Sequence, residues 1–407
     1  MKSQRIIYVL LIVLLAVGCT KDDPKFQEYT LATPVTISIA DLRAQVAVEA
    51  ARDISESGKL YVYGDYIFVN DINEGIHVID NSNPATPTKL KFLRIPGNRD
   101  ISVKGNVLYA DSYMDLVYFD ITDVTTISQL GRLENVLPVN FNWPVADDYA
   151  TQDIDYSSEV IIDWTLTTEI REIPSYNEDI LVFNSGNQSA VDTGIGGSLA
   201  RFKIVNDFLY AVDSDNLNVF NISNLSNPIS IGSNYVGWRI ETIFSDGNYL
   251  YIGSNAGMFI YDIVDPASPQ FVSEVSHIMG CDPVVVQDDF AYVTIRGGNN
   301  CQQEISQLDV IDISNKATPF IVTSVEMEEP YGLGVRGNEL YVSDGRSGLK
   351  LFNIENPETL FLESLFPEIF VFDVIPLEDK LVVVGDSQLK QYIYTGGDLH
   401  LISTLNL

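Results

Sequence analysis

Three features of the sequence predict an all-β fold, a β-propeller of seven four-stranded blades with one long insertion between the second and third. The first is a recurring period of 40 or 41 residues. The second is a Gly-Asn-like pair at a fixed place in the period. The third is a short apolar run that closes in Asp or Asn before a turn, usually one containing Pro.

The period is read from the apolar residue that opens the third strand of each unit: Ile76, Leu116, Leu217, Met258, Leu308, Leu349 and Leu389. The spacings are 40, 101, 41, 50, 41 and 40 residues. The spacing of 50 holds an extra loop, 296–306, and the spacing of 101 holds about sixty extra residues after Leu137. A fixed period of this size marks a repeat architecture, in which each unit hides its apolar surface against its neighbours.

Inside the unit, Gly105-Asn106 separates two strand-like runs. Gly64-Asp65, Asn206-Asp207, Gly247-Asn248, Asp288-Asp289 and Gly337-Asn338 stand at the same place. Such pairs tolerate the positive φ angles that a two-residue hairpin needs. The third strand follows at 116–121, 217–222, 258–263, 308–313 and 349–354, and a fourth at 89–95 and 270–275. Both alternating sets of the third strand are apolar: Leu116 and Tyr118 on one, Val117 and Phe119 on the other. A sheet covered on both faces requires that, and stacked four-stranded blades provide it. A sandwich with one wet face would alternate more cleanly.

The residues that close strand three, Asp80, Asp120, Asn221, Asp262, Asp312 and Asn353, offer oxygens but read as turn-makers. An Asx side chain accepts from the backbone two residues on. The last unit departs from the pattern, with Ile393 in the Asp position and Thr395-Gly-Gly-Asp398 as its turn.

Two runs, Gly75-Ile-His-Val-Ile-Asp-Asn-Ser-Asn-Pro84 and Leu308-Asp-Val-Ile-Asp-Ile-Ser-Asn315, resemble the LVIVD repeat, and the likeness extends over nearly the whole chain from Lys59. The resemblance implies a β-propeller in a bacterial surface or secreted lipoprotein. It carries no general catalytic motif.

The start of the chain agrees with export. Lys2 and Arg5 precede an apolar run, 6–17, that is too short to span a bilayer comfortably. The run ends Leu15-Ala16-Val17-Gly18-Cys19, which resembles a bacterial lipoprotein signal with Cys19 as the lipidated residue. Lys21-Asp22-Asp23 resembles the acidic export tag of Bacteroidetes-type surface lipoproteins. The expected order is a signal peptide at 1–18, a flexible tether at 19–35, an N-terminal arm at 36–58 and a propeller at 59–407 with its insertion at 138–197. The expected location is the outer membrane, lipid-anchored and exposed at the cell surface. In the arm, Ser38 with Asp41 three residues on forms a capping box ahead of Leu42 and Val46. An extended arm, lying beside the last strand at 399–405, is the alternative.

The formal net charge is −32, and −34 once Lys2 and Arg5 leave with the signal. Nucleic acid is therefore not an expected partner, because a duplex binder needs a basic face. Cys281 and Cys301 are the two cysteines left unmodified, and outside the cytoplasm they are expected to form a disulfide.

Strand-one starts and the loops between strands two and three share one face of such a fold. There the sequence places Arg99, Asp100, Arg201, Trp238, Arg239, Glu241, Asp282, Tyr331 and Asp373, with Arg296 in the long loop of unit five. These ring one channel mouth, and mixed acids, arginines and aromatics suit a glycan, a peptide or a partner protein. No HExxH, G-x-S-x-G or P-loop occurs. No cofactor or metal is expected. The acids Asp147, Asp148, Asp153 and Asp155 of the insertion lack EF-hand spacing. Trp143 and Trp164 are expected to staple the insertion to the body or to stack on sugar. The expected function is binding. The alternatives are a carbohydrate enzyme using paired carboxylates and a scaffold without a small ligand.

Overall fold

The computed structural model describes residues 26–139, 143–172, 200–255, 257–276, 283–297, 305–385, 387–396 and 398–407. The expectations for the signal peptide, for Cys19, for the Cys281–Cys301 disulfide and for Asp282 lie outside the described residues. The chain divides into two compact units, Met1–Ile37 with Trp143–Asn187, and Ser38–Asn142 with Gln188–Leu407.

The smaller unit is a three-stranded sheet in the order Asp148–Tyr149, Phe26–Ser38, Glu159–Glu172. Residues 26–35, expected to be tether, are therefore strand. The physical reason is that their backbone finds partners in the insertion. Asp147 N donates to Thr30 O at 2.8 Å, Ala150 N to Ala32 O at 2.9 Å, and Thr30 N to the Asp147 carboxylate at 2.6 Å. The two tryptophans pack on each other at 5.0 Å and on Tyr149 at 5.1 and 5.7 Å, inside this unit. The insertion acids are also engaged. Asp148 pairs with Arg171 at 2.7 Å, and Asp155 accepts from Ser157 N at 3.0 Å.

The larger unit begins with a helix, Ile39–Ala44, capped as expected. Ser38 Oγ accepts from Asp41 N at 3.0 Å and donates to the Asp41 carboxylate at 2.7 Å. Arg43 ties the helix to the buried Asp115 at 2.8 Å. The arm then adds Ala47–Ala50 antiparallel to Thr88–Arg94. It thus extends the first sheet rather than lying beside the last strand.

Seven antiparallel sheets follow among the described residues, at 57–94, 101–133, 202–235, 240–276, 284–326, 333–366 and 373–406. Each takes four consecutive strands in simple up-and-down order. The hairpin residues expected between strands one and two all adopt positive φ: Gly64 56°, Gly105 57°, Asn206 53°, Gly247 52°, Asp288 55° and Gly337 55°. The Asx turns form as expected. The side-chain oxygens of Asp80, Asp120, Asn221, Asp262, Asp312 and Asn353 each accept from the backbone N–H two residues on, at 2.7–2.9 Å. In every sheet the pairing of strands three and four shifts register near its middle. Such bulges increase local twist.

Among the described residues, seven apolar clusters lie between the sheets. Six join consecutive sheets, and each sheet contributes to two clusters. Leu108 and Ala110 pack with the first sheet's Phe68 and Val78, while Val107 and Tyr109 pack with the third sheet's Leu209 and Phe220. The seventh cluster joins Leu60, Ile67 and Val69 of the first sheet to Val382, Val384 and Leu389 of the last.

A polar link repeats at these junctions. A side chain of one sheet donates to the carbonyl that lies four residues after the Asx of the next. Tyr109 Oη reaches Leu225 O at 2.8 Å, Tyr210 Oη reaches Pro266 O at 2.8 Å and Ser273 Oγ reaches Lys316 O at 2.5 Å. Gln391 Nε2, in the last sheet, reaches the matching carbonyl of the first, Pro84 O, at 3.1 Å.

That junction also differs in kind. From the first sheet to the sixth, an apolar residue of strand three shares a cluster with the Ile that follows the next Asx, as Val78 does with Ile121 and Ile260 with Ile313. In the last unit, where Ile393 replaces the Asx, Tyr394 packs on the cluster that holds Leu351. Between the last and first sheets both positions are amides. Asn81 Nδ2 donates to Gln391 Oε1 at 3.0 Å, and Gln391 Nε2 to Asn81 Oδ1 at 2.7 Å.

Gln391→Leu leaves the buried Asn81 amide unsatisfied, so we expect a loss of about 1–3 kcal/mol in urea unfolding. The double change Asn81→Ile with Gln391→Leu restores the apolar pair of the other junctions and should recover most of that loss. A double variant no more stable than the sum of the singles would show that the two amides are uncoupled.

Candidate functional site

In each sheet of the larger unit the strands run up and down, so the start of the first strand and the loop between strands two and three lie at the same end, and these ends make up one face. Most of the acids there are committed to the backbone. One Asp100 oxygen accepts from Phe202 N at 2.8 Å and from Arg201 N, and the other from Ile101 N at 2.7 Å. This ties the second sheet to the third at the point where the chain leaves at Leu133 and returns only at Phe202. Asp111 accepts from Arg99 N and Asp100 N, both at 2.9 Å. Burial pushes its carboxyl above the usual range, against those two amides. Asp213 accepts from Asp215 N at 2.8 Å and Asn216 N at 2.9 Å. Asp344 accepts from Glu329 N at 2.7 Å.

Asp100 and Asp373 were expected to face a ligand, but both are buried, at 1% and 0% exposure. For Asp100 the reason is the set of amides just named. Asp373 packs on Gly332, where a Cβ would stand 2.1 Å from its Oδ1, and accepts from Val374 N at 2.8 Å. Burial raises its pKa well above the ordinary value, and the charge of Lys59 opposes that rise. Lys59, itself buried, lies 3.4 Å from Asp100. These three groups belong to the wall rather than to the opening.

The arginines and aromatics are placed differently. Arg99, Arg201, Tyr113 and Asp213 line a cleft between the second and third sheets, with ≈ 340 Å³ of space that includes open solvent. In the fourth sheet, Trp238 is 75% exposed and Arg239 is held at φ 54°, next to the half-buried Glu241. Beyond it a ladder crosses three sheets. Arg296 lies 4.2 Å over the Tyr331 ring, Tyr331 meets Phe372 edge-on at 5.3 Å, Phe372 meets Phe370 at 5.1 Å, and Arg346 lies 5.5 Å over Phe370. Tyr331 Oη donates to Glu329 at 2.9 Å, which fixes the ring, and burial raises the pKa of its hydroxyl.

Arg346, Phe370 and Phe372 were not singled out in the sequence. Arg346 sits at the tip of a loop between strands two and three, Asp344-Gly-Arg-Ser-Gly348, on the face already identified. Reading every such loop, and not only the two lengthened ones, would have found it. Among the described residues no group of three or more His, Cys, Asp or Glu side chains is arranged to hold a metal ion.

Comparison with known proteins agrees with this architecture. The LVIVD repeat matches residues 53–92, 196–235, 242–276 and 281–327. No curated protein matches the chain. Similar solved structures include the Pseudomonas aeruginosa periplasmic gluconolactonase PpgL, with a TM-score of 0.55 and 11% identity over 86% of this chain and 95% of that one. BamB from Moraxella catarrhalis gives 0.51 and 9% over 90% and 98%. A Lactobacillus plantarum protein gives 0.55 and 12% over 86% and 94%. At these identities the likeness describes the fold alone, which is propeller-like.

Asp71 shows what the structural acids of this face contribute. Burial alone would raise its pKa. Hydrogen bonding with His77 at 3.2 Å and from the amides of Glu56 at 2.9 Å and Ser55 at 3.2 Å outweighs that and holds it at about 2. A pKa lowered from 3.8 to about 2 contributes about 2 kcal/mol. That contribution is complete above pH 4 or so and is lost as pH falls through about 2. Asp71→Asn should therefore cost about 2 kcal/mol near neutral pH, with the difference from wild type shrinking as the medium is acidified. Urea unfolding at several pH values reads this directly, and a difference that stays constant with pH would contradict it.

Proposed function

We propose that the seven sheets close as the blades of a seven-bladed β-propeller, and that the molecule is a surface-anchored binding module. A partner macromolecule docks on the face bearing Trp238, Arg239, Arg296 and Arg346. Closure is supported by the cluster between the first and last sheets and by the Gln391 link, which uses the same acceptor position as the internal junctions.

The observation that carries the functional reading is the division of labour on that face. Asp100, Asp111, Asp213 and Asp344 accept backbone N–H groups, while an exposed Trp and several arginines remain at the surface. Trp, Tyr and Arg are the residue types that dominate binding energy at interfaces. Carboxylates held this way are poor candidates for general acid and base, so the enzyme reading is the weaker one. Anchoring through Cys19 rests on the lipoprotein-like start of the chain.

The test is an array of peptides and glycans probed with a soluble form starting at Thr20, with and without Trp238→Ala. We expect a bound class that the substitution weakens about tenfold or more. Hits that ignore the substitution would place binding elsewhere. For the anchor, Cys19→Ala should move the full-length protein from the detergent to the aqueous phase on partition. A wild-type protein that already partitions into the aqueous phase would overturn lipid anchoring.

A further inference from the structure

We infer that the segment recognised on this face is an acidic stretch of polypeptide whose carboxylates are received by Arg239, Arg296 and Arg346. The inference rests on the binding reading above and narrows its ligand.

The chain has 56 acidic residues and only 24 basic ones, so an arginine has carboxylates to choose from almost anywhere on its surface. Six described arginines behave accordingly. Arg43, Arg52, Arg94, Arg132, Arg171 and Arg336 each lie within 4.0 Å of an Asp or Glu oxygen. Arg239, Arg296 and Arg346 have no such partner among the described residues. All three are on one face, in three successive sheets. Charge excess of the opposite sign makes that placement unfavourable to leave idle.

Their surroundings suit them for carboxylates. Arg296 and Arg346 lie over the rings of Tyr331 and Phe370. A guanidinium stacked on a ring keeps in-plane N–H groups directed outward, and these match a carboxylate in two parallel hydrogen bonds. Arg296 also hydrogen-bonds the Tyr331 hydroxyl, which leaves its other N–H groups for a ligand. The stack also limits the rotamers to be frozen on binding. Glu329 is engaged with the hydroxyl end of Tyr331, at 2.9 Å.

The same stacking separates a peptide from a sugar. A pyranose needs a bare aromatic face, and the Tyr331 and Phe370 faces are already covered by guanidinium groups. The indole of Trp238 stands open at 75% exposure, which suits a single apolar anchor residue. Arginines spread over three sheets exceed the reach of one carboxylate. An extended segment with several carboxylates can engage them together.

The probe is fluorescein-labelled hexaglutamate, read by anisotropy against the soluble chain from Thr20, with hexalysine and oligogalacturonate as parallel arms. We expect hexaglutamate alone to bind. Its affinity should fall about tenfold between roughly 50 and 300 mM salt and about tenfold or more in the triple variant R239A/R296A/R346A. Lys104→Ala, which removes a cation from the opposite face, should change nothing. Arg239 is exposed, so Arg239→Ala provides a second variant with little risk to folding, and each protein's melting temperature checks that it is folded. Hexaglutamate that binds the triple variant as well as wild type would overturn the inference. Oligogalacturonate that binds in an arginine-dependent way while hexaglutamate does not would overturn the peptide class yet leave the mouth reading standing. Array hits indifferent to Trp238→Ala would instead sink the mouth reading itself.

Discussion

The two central strands of each sheet in the larger unit are buried on both faces, and the rest of the structure follows from that constraint. These strands have no wet face, so no sheet is stable without a neighbour on each side. The two terminal sheets face the same requirement, and the cluster of Leu60, Val69, Val382 and Leu389 meets it. Apolar contact alone does not say which sheet should meet which, since Val, Ile and Leu occupy equivalent places throughout. The amide pair Asn81–Gln391 adds that information at a single junction. Buried polar pairs of this kind are best attested as devices of registry. An amide facing an isoleucine at any other junction would lose its partner, so mismatched pairing is disfavoured.

Much of this fold was legible because it is local. The Asx turns and the two-residue hairpins are decided within a few residues, and side-chain chemistry at Asp80 or Gly105 states the backbone outcome almost directly. What escaped depends on partners distant in sequence. The strand Phe26–Ser38 contains Pro34 and scattered threonines, so nothing local distinguishes it from a tether. It is ordered by the insertion, more than a hundred residues away. The Gln391 link spans 310 residues, and it appears only when Asn81 and Gln391 are both seen as departures from an apolar pattern.

The candidate face was legible in place but only partly in role. Alignment of the repeats put Arg99, Arg201, Trp238, Arg239, Arg296 and Tyr331 on one side; the structure sets Arg99 and Arg201 on one cleft and stacks Arg296 on Tyr331. It could not tell an acid that meets solvent from one that caps the neighbouring sheet. Asp100 and Asp373 look alike in sequence to any surface acid. Their burial follows from amides and a glycine in adjacent units, Arg201, Phe202 and Gly332. The aromatic ladder has the same character. Tyr331, Phe372 and Phe370 come from two connections, and only the fold stacks them beneath arginines from two others.

Every one of the seven sheets draws its four core strands from a single uninterrupted stretch of chain, and none is completed by a strand from the far terminus. Whole units can therefore be duplicated or deleted at the level of the gene without orphaning a strand in any survivor. The number of units then becomes an evolvable quantity, limited mainly by how the end units recognise each other. Only the unit carrying Asn81 and the unit carrying Gln391 must persist through such changes, while those between them are free to diverge.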